Sequence, residues 1–268
     1  MSDKYTLHLG DCIDVMHTLP DASVDLTVTS PPYDNLRTYG KDFDAATFDW
    51  RSIIAELYRL TKPGGVVVWV VADATINGSE TGTSFRQALY AMECGFNCET
   101  MIYEQAGTGA KGSNYYYWQA FEYMFVCAKG QPKASNRIAD IVNSGAGRLR
   151  RLGTKNRIIN SRTERRVRNP LFCVRPNVWT LTATGSDITD HPAPFPEALV
   201  RDHIISWSNE GDTVFDPMMG SGTTGKMAVT LGRKFVGIEL DADYFAIAQE
   251  RIDKATWQLS MFDMIAAD

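Results

Sequence analysis

Residues 213–232, TVFDPMMGSGTTGKMAVTLG, decide the fold. They read as a short apolar strand, a glycine turn and a helix, and Gly220, Gly222 and Gly225 stand in G-x-G-x-x-G spacing. Such glycines let the backbone approach a ligand closely at the carboxyl end of a strand. Glu239 ends the next apolar run, where an acidic side chain can bind ribose hydroxyls. The segment therefore predicts a nucleoside-binding turn in an open α/β sheet, with a purely structural strand-to-helix turn as the alternative.

The position of this turn separates two classes of ligand. Nicotinamide dinucleotides and S-adenosylmethionine both contain a ribose that an acidic residue can bind at this place. Only about 40 residues follow the turn, too few to complete a nicotinamide-binding sheet, which normally begins with this motif. Asp216, directly before the turn, also suits the cationic methionine end of S-adenosylmethionine better than an anionic pyrophosphate. The sequence favours S-adenosylmethionine, in a sheet completed by upstream strands.

The rest of the chain alternates between strand and helix patterns. Apolar residues recur at helical spacing in FDWRSIIAELYRL, and VVVWVV reads as a buried strand. Strands are predicted at 4–10, up to Ser30, at 66–71 and at 96–103, and helices at 48–60, 84–94 and 194–208. Strands that alternate with helices predict an α/β fold with a doubly wound, mostly parallel, Rossmann-like sheet.

Composition bounds the class of protein. The chain has 268 residues, 44% hydrophobic and 22% charged, and contains no apolar run of membrane-spanning length. No membrane association is expected, and the first residues lack a signal-peptide pattern, so a cytoplasmic location is predicted. The five cysteines form no C-x-x-C pair, so they are predicted to be buried thiols, and no metal site is expected.

Basic residues are concentrated in one segment. Between Lys129 and Arg175 there are thirteen basic and two acidic residues, a local charge of +11 in a chain whose total is -5. The remaining residues therefore carry -16. An acidic body with one basic segment indicates a polyanionic partner bound at a defined place, and a solvated basic loop is the alternative.

A second motif, Ser30-Pro31-Pro32-Tyr33, follows the apolar run DLTVT. The prolines fix the backbone, so the Ser30 hydroxyl and the Pro31 carbonyl can be presented rigidly. Two acceptors that bind the hydrogens of an exocyclic amine would orient its nitrogen for attack on a methyl sulfonium. Tyr33 could stack on a base flipped out of a duplex. In isolation, a stiff structural loop is the other interpretation.

Together, TSPPY at 29–33 and FDPMMGSGTTG at 215–225 resemble the amino-methyltransferases of DNA, the N6-adenine and N4-cytosine family. The catalytic motif comes first and the cofactor loop last, which is similar to the permuted group called beta. Further matches cover essentially the whole chain outside the basic segment: LGDC at 9–12, LTKPGG at 60–65, FEYMFVCAKG at 121–130, HPAPFPEAL at 191–199 and GIEL at 237–240.

The resemblance implies a role for each motif. Asp11 would contact the cofactor's adenine, Glu239 its ribose and the Asp216–Thr223 loop its methionine part, while residues 191–196 would close over it. The predicted catalytic residues are Ser30, Pro31, Pro32 and Tyr33. The predicted cofactor-binding residues are Asp11, Ser30, Pro192, Phe215, Asp216, Pro217, Gly220, Ser221, Gly222, Thr223, Thr224, Glu239 and Leu240.

Two departures from the family pattern affect these roles. The family often has Lys-Pro where this chain has Phe195-Pro196, which leaves the contacts of that segment open. Ser30 is more typical of N4-cytosine enzymes, whereas Asp at this position is commoner in adenine enzymes. The chain also lacks the Pro-Cys pair of enzymes that methylate the ring carbon of cytosine. The exocyclic amine is therefore the expected target, with a slight preference for cytosine.

The resemblance also divides the chain. Residues 1–128 and 179–268 would form the catalytic and cofactor-binding domain, and 129–178 an inserted target-recognition region for double-stranded DNA. Its predicted DNA-binding residues are Arg148, Arg150, Arg151, Lys155, Arg157, Arg162, Arg165, Arg166 and Arg168. A homodimer and a cognate restriction endonuclease are left open as partners. The alternative functions are methylation of RNA or protein on the same fold and an inactive DNA-binding protein.

Overall fold

The structure, a computed structural model, describes residues 4–32, 48–106, 117, 119–151, 166–182 and 196–266. Its helices are α1 (Cys12–Thr18), α2 (Trp50–Leu60), α3 (Thr83–Glu93), α4 (Glu197–Trp207), α5 (Thr223–Thr230) and α6 (Ala242–Ala266). The strands of the main sheet are β1 (Tyr5–Leu9), β2 (Val24–Thr29), β3 (Thr61–Val71), β6 (Asn97–Ala106), β7 (Phe121–Ala128), β12 (Val178–Thr182), β13 (Thr213–Asp216) and β14 (Lys234–Glu239). Shorter strands are β4 (Thr75–Ile76), β5 (Ser79–Glu80), β8 (Ala139–Val142), β9 (Leu149–Arg151), β10 (Arg166–Arg168) and β11 (Phe172–Val174).

Within these ranges, eight strands form one sheet in the order β1-β14-β13-β2-β3-β7-β6-β12. Neighbouring strands are parallel except for β7, which is antiparallel to both β3 and β6. The predicted mostly parallel sheet is confirmed. Because β13 and β14 come late in the chain and lie between β1 and β2, the sheet is completed from upstream sequence, as predicted.

Helices cover both faces of this sheet, as a doubly wound fold requires. Alternate residues of β3 show why: Val66, Val68 and Val70 pack in one apolar cluster with residues of α4, α5 and α6. Val67, Trp69 and Val71 pack in a second cluster with residues of α1, α2 and α3. The continuous apolar run of β3 is thus explained by burial on both faces.

The predicted strand at 66–71 begins earlier, at Thr61, in the structure. The Lys62-Pro63-Gly64-Gly65 stretch is typical of a stop signal, but it continues as an edge of the sheet. Gly64 donates its amide to the Lys129 carbonyl at 2.7 Å, and Lys129 donates to the Gly65 carbonyl at 3.0 Å. These two bonds hold the glycines in extended pairing.

The prediction that all cysteines are buried thiols is wrong for one pair. Cys98 and Cys127 face each other across β6 and β7, and their sulfur atoms are joined at 2.09 Å as a disulfide. The pairing was not visible in the sequence because 29 residues separate the two cysteines and only the strand register brings them together. Cys12, Cys94 and Cys173 are free and half-buried.

Residues Arg137–Pro176 form a second compact unit, while Met1–Asn136 and Asn177–Asp268 form the first. In the second unit β8 pairs with β11, and β9 pairs with β10, both antiparallel. Asn143 connects the two pairs, because its amide donates to the Leu171 carbonyl at 2.9 Å and its side chain to the Pro170 carbonyl at 3.0 Å. This unit is narrower than the 129–178 range expected from the sequence, since Val178 already begins β12 of the main sheet.

Candidate active site

The predicted site residues follow neighbouring strands of the sheet. Leu9 of β1 is in register with Glu239 of β14, Asp216 of β13 with Gly237, and Phe215 with Thr27 of β2. Because these strands are parallel, their carboxyl ends lie at one edge, where ligands of open α/β sheets bind. The structure thus brings to one edge the ends of β1, β2, β13 and β14.

Glu239, the predicted ribose ligand, is held in place by backbone amides. Its Oε2 accepts from Gly220 N at 2.8 Å, and its Oε1 accepts from Asp241 N at 2.9 Å. A carboxylate has about four acceptor sites, so both oxygens retain capacity for hydroxyl donors. Burial raises the pKa of the Glu239 carboxyl above its usual range, although these amides act in the opposite direction. The carboxylate is oriented before any ligand binds.

Asp216 connects the two motifs. Its side chain is buried, and its Oδ1 accepts from Thr29 Oγ1 at 2.7 Å and from Met218 N at 3.1 Å. Thr29 is the last residue of β2, so this bond joins the strand that carries Ser30 and Pro31 to the strand that carries the glycine turn. Thr224 adds a second connection, since its Oγ1 donates to the Val28 carbonyl at 3.3 Å.

Burial raises the pKa of the Asp216 carboxyl to about 7, although hydrogen bonds from Thr29, Thr224 and Met218 lower it, and the charge of Glu239 raises it further. An ionised carboxylate removed from water is unfavourable unless a cation compensates it. The edge therefore presents a buried acid that a positively charged ligand would stabilise in its ionised form.

Ser30 and Pro31 follow Thr29 directly, with Ser30 half-buried and Pro31 buried, and Pro32 is half-buried. They stand at the sheet edge one strand away from Asp216. Tyr33 and Pro192 lie outside the described residues, so their predicted roles stay predictions.

Asp11 acts in the structure as the N-cap of α1. Its Oδ1 accepts from Ile13 N at 2.8 Å and from Asp14 N at 3.1 Å. The preceding residue, Gly10, donates its amide to the Glu239 carbonyl at 2.9 Å. Leu240, two thirds exposed, follows Glu239 on the neighbouring strand. Asp11 and Leu240 therefore flank Glu239, where the adenine contacts were predicted.

The glycine turn is fixed from outside by residues that sequence reasoning missed. Arg251 of α6 donates through Nη1 to the Ser221 carbonyl at 2.7 Å, to Ser221 Oγ at 2.9 Å and to Thr223 Oγ1 at 3.3 Å. Glu197 accepts from Lys226 at 2.5 Å and lies 3.4 Å from Arg251 Nη2. Glu197 starts α4 and Lys226 lies in α5, so the turn is held by three helices. The partners are 29 and 54 residues apart, which no local pattern reveals.

Gly222 shows why the turn needs glycine. Its φ is +79°, and an added Cβ would lie 2.8 Å from the Ala248 Cβ of α6. Gly225, at the third glycine position, would place a Cβ 2.4 Å from the Ile252 Cδ1. These glycines allow α5 to approach α6 and the sheet closely, which is the packing role of this fingerprint.

We expect Gly222→Ala to lower the free energy of unfolding by about 2–4 kcal/mol, through backbone strain plus collision with α6. Gly211→Ala is the matched control, because Gly211 has a φ of +82° and a Cβ added there would meet open space. The control should cost only about 1 kcal/mol in chemical denaturation. Equal losses in the two variants would contradict the close packing of the turn on α6.

The predicted DNA-binding residues belong to the second unit. Arg148 and Arg168 are exposed there. Arg150, Arg151 and Arg166 contribute backbone to the β9–β10 pair, in which Arg166 is in register with Arg151. Lys155, Arg157, Arg162 and Arg165 lie outside the described residues.

Two other features concern metal ions and membranes. Across the part of the chain that the structure describes, there is no group of three or more His, Cys, Asp or Glu residues arranged to hold a metal ion. The helices among those residues include none that is long and apolar enough to cross a membrane.

Comparisons with known proteins agree with this geometry. The chain is 49% identical over 242 residues to the orphan methyltransferase M.BamHII of Bacillus amyloliquefaciens, with 87% of this chain and 89% of that protein covered. It is 28% identical over 271 residues to the DNA adenine methyltransferase YhdJ of Escherichia coli strain K12, with 95% and 85% covered. A crystal structure of TTHA0409 from Thermus thermophilus, a putative DNA modification methylase complexed with S-adenosyl-L-methionine, superposes with a TM-score of 0.63 at 26% identity and covers 94% of this chain and 96% of that one.

A family model described as DNA methylase, of the N6/N4 amino-methyltransferases, matches residues 24–250. This range includes both the Ser30–Tyr33 motif and the glycine turn that Thr29 and Asp216 connect. The chain belongs to the N6/N4 DNA methylase family.

Proposed function

We propose that this protein transfers the methyl group of S-adenosylmethionine to the exocyclic amino group of a base flipped out of double-stranded DNA. The observation that carries the proposal is the 2.7 Å hydrogen bond from Thr29 to Asp216. It joins the strand end that precedes Ser30 and Pro31 to the strand end that precedes the glycine turn. Methyl transfer needs donor and acceptor in contact, and such positioning is a large part of the catalytic effect.

The residues at the edge fit S-adenosylmethionine. Its ribose offers two hydroxyl donors, which match the remaining acceptor capacity of Glu239. Its sulfonium and ammonium groups are cations, which match the buried Asp216 carboxyl. When bound, it supplies an electrophilic methyl group on sulfur. The other predicted contacts are Asp11, Leu240 and the turn residues Pro217, Ser221 and Thr223.

The protein's own groups act on the amine. In our proposal, the Ser30 hydroxyl and the Pro31 carbonyl accept hydrogen bonds from the amine hydrogens and orient the nitrogen lone pair toward the methyl group. The bond from carbon to sulfur breaks as the bond from nitrogen to carbon forms, and the nitrogen then loses one proton to solvent. Pro32 keeps the backbone rigid, and Tyr33 stacks on the flipped base with a gain of about 1–3 kcal/mol.

The choice of base stays between cytosine N4 and adenine N6. Ser30 is the feature that favours cytosine, whereas the relative YhdJ is named an adenine methyltransferase. We propose that residues 129–178, with their basic side chains, bind the DNA. A homodimer and a cognate endonuclease also belong to the proposal.

Nucleoside analysis tests the proposed function. The purified protein is incubated with duplex DNA and S-adenosylmethionine labelled in the methyl group, and the DNA is digested and separated by mass spectrometry. We expect label in N4-methylcytosine or N6-methyladenine, which also identifies the base. Label in RNA or protein with none in duplex DNA would refute it.

Cofactor affinity should depend on pH through Asp216. The pKa of this buried carboxyl is about 7 in the free protein, and a bound cation favours its ionised form. Affinity should therefore rise with pH, by up to about tenfold per unit below pH 7, and level off above it. Calorimetry at pH 6 in two buffers should show proton release on binding. In Asp216→Asn this pH dependence should disappear, and an unchanged profile would contradict the role of Asp216.

The same pKa has the opposite effect on the free protein. A carboxyl whose folded-state pKa is raised stabilises the fold fully below its ordinary value of 3.8, and this stabilisation is lost as pH rises to about 7. The cofactor should offset this loss. Thermal shifts caused by S-adenosylmethionine should accordingly be larger at pH 8 than at pH 5.5.

A further inference from the structure

Helix α3 has an apolar outer face. Phe85, Leu89 and Met92 are 47%, 59% and 53% exposed, whereas Ser84, Gln87 and Ala91 on its inner side are buried. The inner side is fixed to the sheet by polar contacts: Trp69 Nε1 donates to Gln87 Oε1 at 2.9 Å. The exposed apolar residues are therefore not the packing face of the helix.

The spacing of these residues makes them one surface. Positions i, i+4 and i+7 of a helix lie on the same side, so Phe85, Leu89 and Met92 form a stripe about two turns long. Single exposed apolar residues are common, but a continuous stripe marks an interaction site. We call Phe85, Leu89 and Met92 the α3 stripe.

The charges beside the stripe indicate which partner it fits. Arg86 stands near its amino-terminal end and Glu93 at its carboxyl-terminal end. They are seven positions apart, so they lie along the same flank of the helix. A helix with the opposite charge order on the facing flank would complement them, and α3 itself has that order when it is turned end to end.

We infer that the α3 stripe is the centre of a two-fold interface between two copies of this chain. Antiparallel packing about a two-fold axis near Leu89 places each Arg86 beside the second copy's Glu93. It also packs Phe85 of each copy against the second copy's Met92. A parallel arrangement would lose both charge pairs, so the charge order selects the antiparallel one. A stable interface buries about 800 Å² per partner, so residues around the stripe would supply its rim.

This inference deepens the homodimer of the proposed function but does not depend on methyl transfer. None of the α3 residues involved belongs to the predicted cofactor or catalytic residues. Cofactor binding measured on the same variants therefore separates a failure of the dimer from a failure of the proposed function.

Sedimentation equilibrium of the full chain tests the inference. The monomer mass is 29.9 kDa, and we expect the wild-type protein to sediment at twice that value. Leu89→Glu should weaken dimerisation by at least about 100-fold, because it places two like charges at the centre of the interface. Its binding of S-adenosylmethionine should stay at the wild-type level, which shows that the variant is folded.

A charge exchange gives the sharper result. Arg86→Glu and Glu93→Arg should each weaken the dimer by about tenfold, because each replaces two attractive contacts with two repulsive ones. The double variant should return to near wild-type affinity. Lys254→Glu, at an exposed position of α6, is the matched control and should change nothing. A monomeric wild type, an unaffected Leu89→Glu dimer or a double variant as weak as the singles would each overturn the proposal.

Discussion

Ser30→Ala should lower kcat by about 100- to 1,000-fold, the loss typical when one oriented hydrogen bond to a transition state is removed. The variant keeps the buried strand β2 and the Thr29–Asp216 bond, so the cofactor half of the site stays intact. Dissociation constants for S-adenosylmethionine, measured by calorimetry, should therefore change by less than about threefold. The combination of lost turnover and retained cofactor binding is what the proposed acceptor role requires.

Ser30→Thr is the control for this experiment, because it keeps a hydroxyl at the same place. It should retain more activity than Ser30→Ala, with the difference in kcat rather than in KM. Near-normal turnover by Ser30→Ala would exclude the hydroxyl as an acceptor for the amine. Loss of cofactor binding in Ser30→Ala would instead mean that Ser30 acts on the cofactor side, which was the second role predicted for it.

Glu239→Ala should raise the dissociation constant for S-adenosylmethionine by at least about 100-fold. Two charge-assisted hydrogen bonds to ribose hydroxyls would be lost, each contributing about 1.5–3 kcal/mol. The Gly220 and Asp241 amides would also lose the acceptor that now orients them. Calorimetric titration of the apoprotein measures this directly.

Two further variants isolate the cause. Glu239→Gln keeps one side-chain acceptor and should show an intermediate loss, because the charge is removed but the shape is kept. Asp241→Asn removes a negative charge two residues away while its side-chain oxygen can still cap α6 at Asp243 and Tyr244. It should bind the cofactor nearly as well as wild type. If Asp241→Asn were as weak as Glu239→Ala, general electrostatics rather than a specific ribose contact would explain the loss.

The sequence predicted the elements of the fold well because their signals are local. The apolar run of β3, the helical spacing of α2 and the strand-turn-helix around Gly220 are each contained in fewer than twenty residues. The carboxyl-edge position of Glu239 and Asp216 followed from parallel strand order, since parallel strands place their ends together.

Contacts that hold the site together were beyond sequence reasoning because they join distant positions. Thr29 and Asp216 are 187 residues apart, and only the pairing of β2 with β13 brings them together. A polar threonine at the end of a buried run is a weak signal that, in retrospect, indicated a buried partner. Arg251 lies thirty residues after Ser221 in a long helix whose charged residues all resemble a solvated face. The Cys98–Cys127 pairing depends on strand register in the same way.

A crystal structure of the protein with S-adenosylhomocysteine, the demethylated cofactor, would test the central claim most directly. The account predicts the ribose hydroxyls on the Glu239 carboxylate and the sulfur between the glycine turn and Pro31. The sulfur should lie within about 8 Å of the Pro31 carbonyl oxygen, close enough for a methyl group and an amine nitrogen to fit between them. A ligand bound at another edge of the sheet, or a sulfur well beyond that distance, would contradict it.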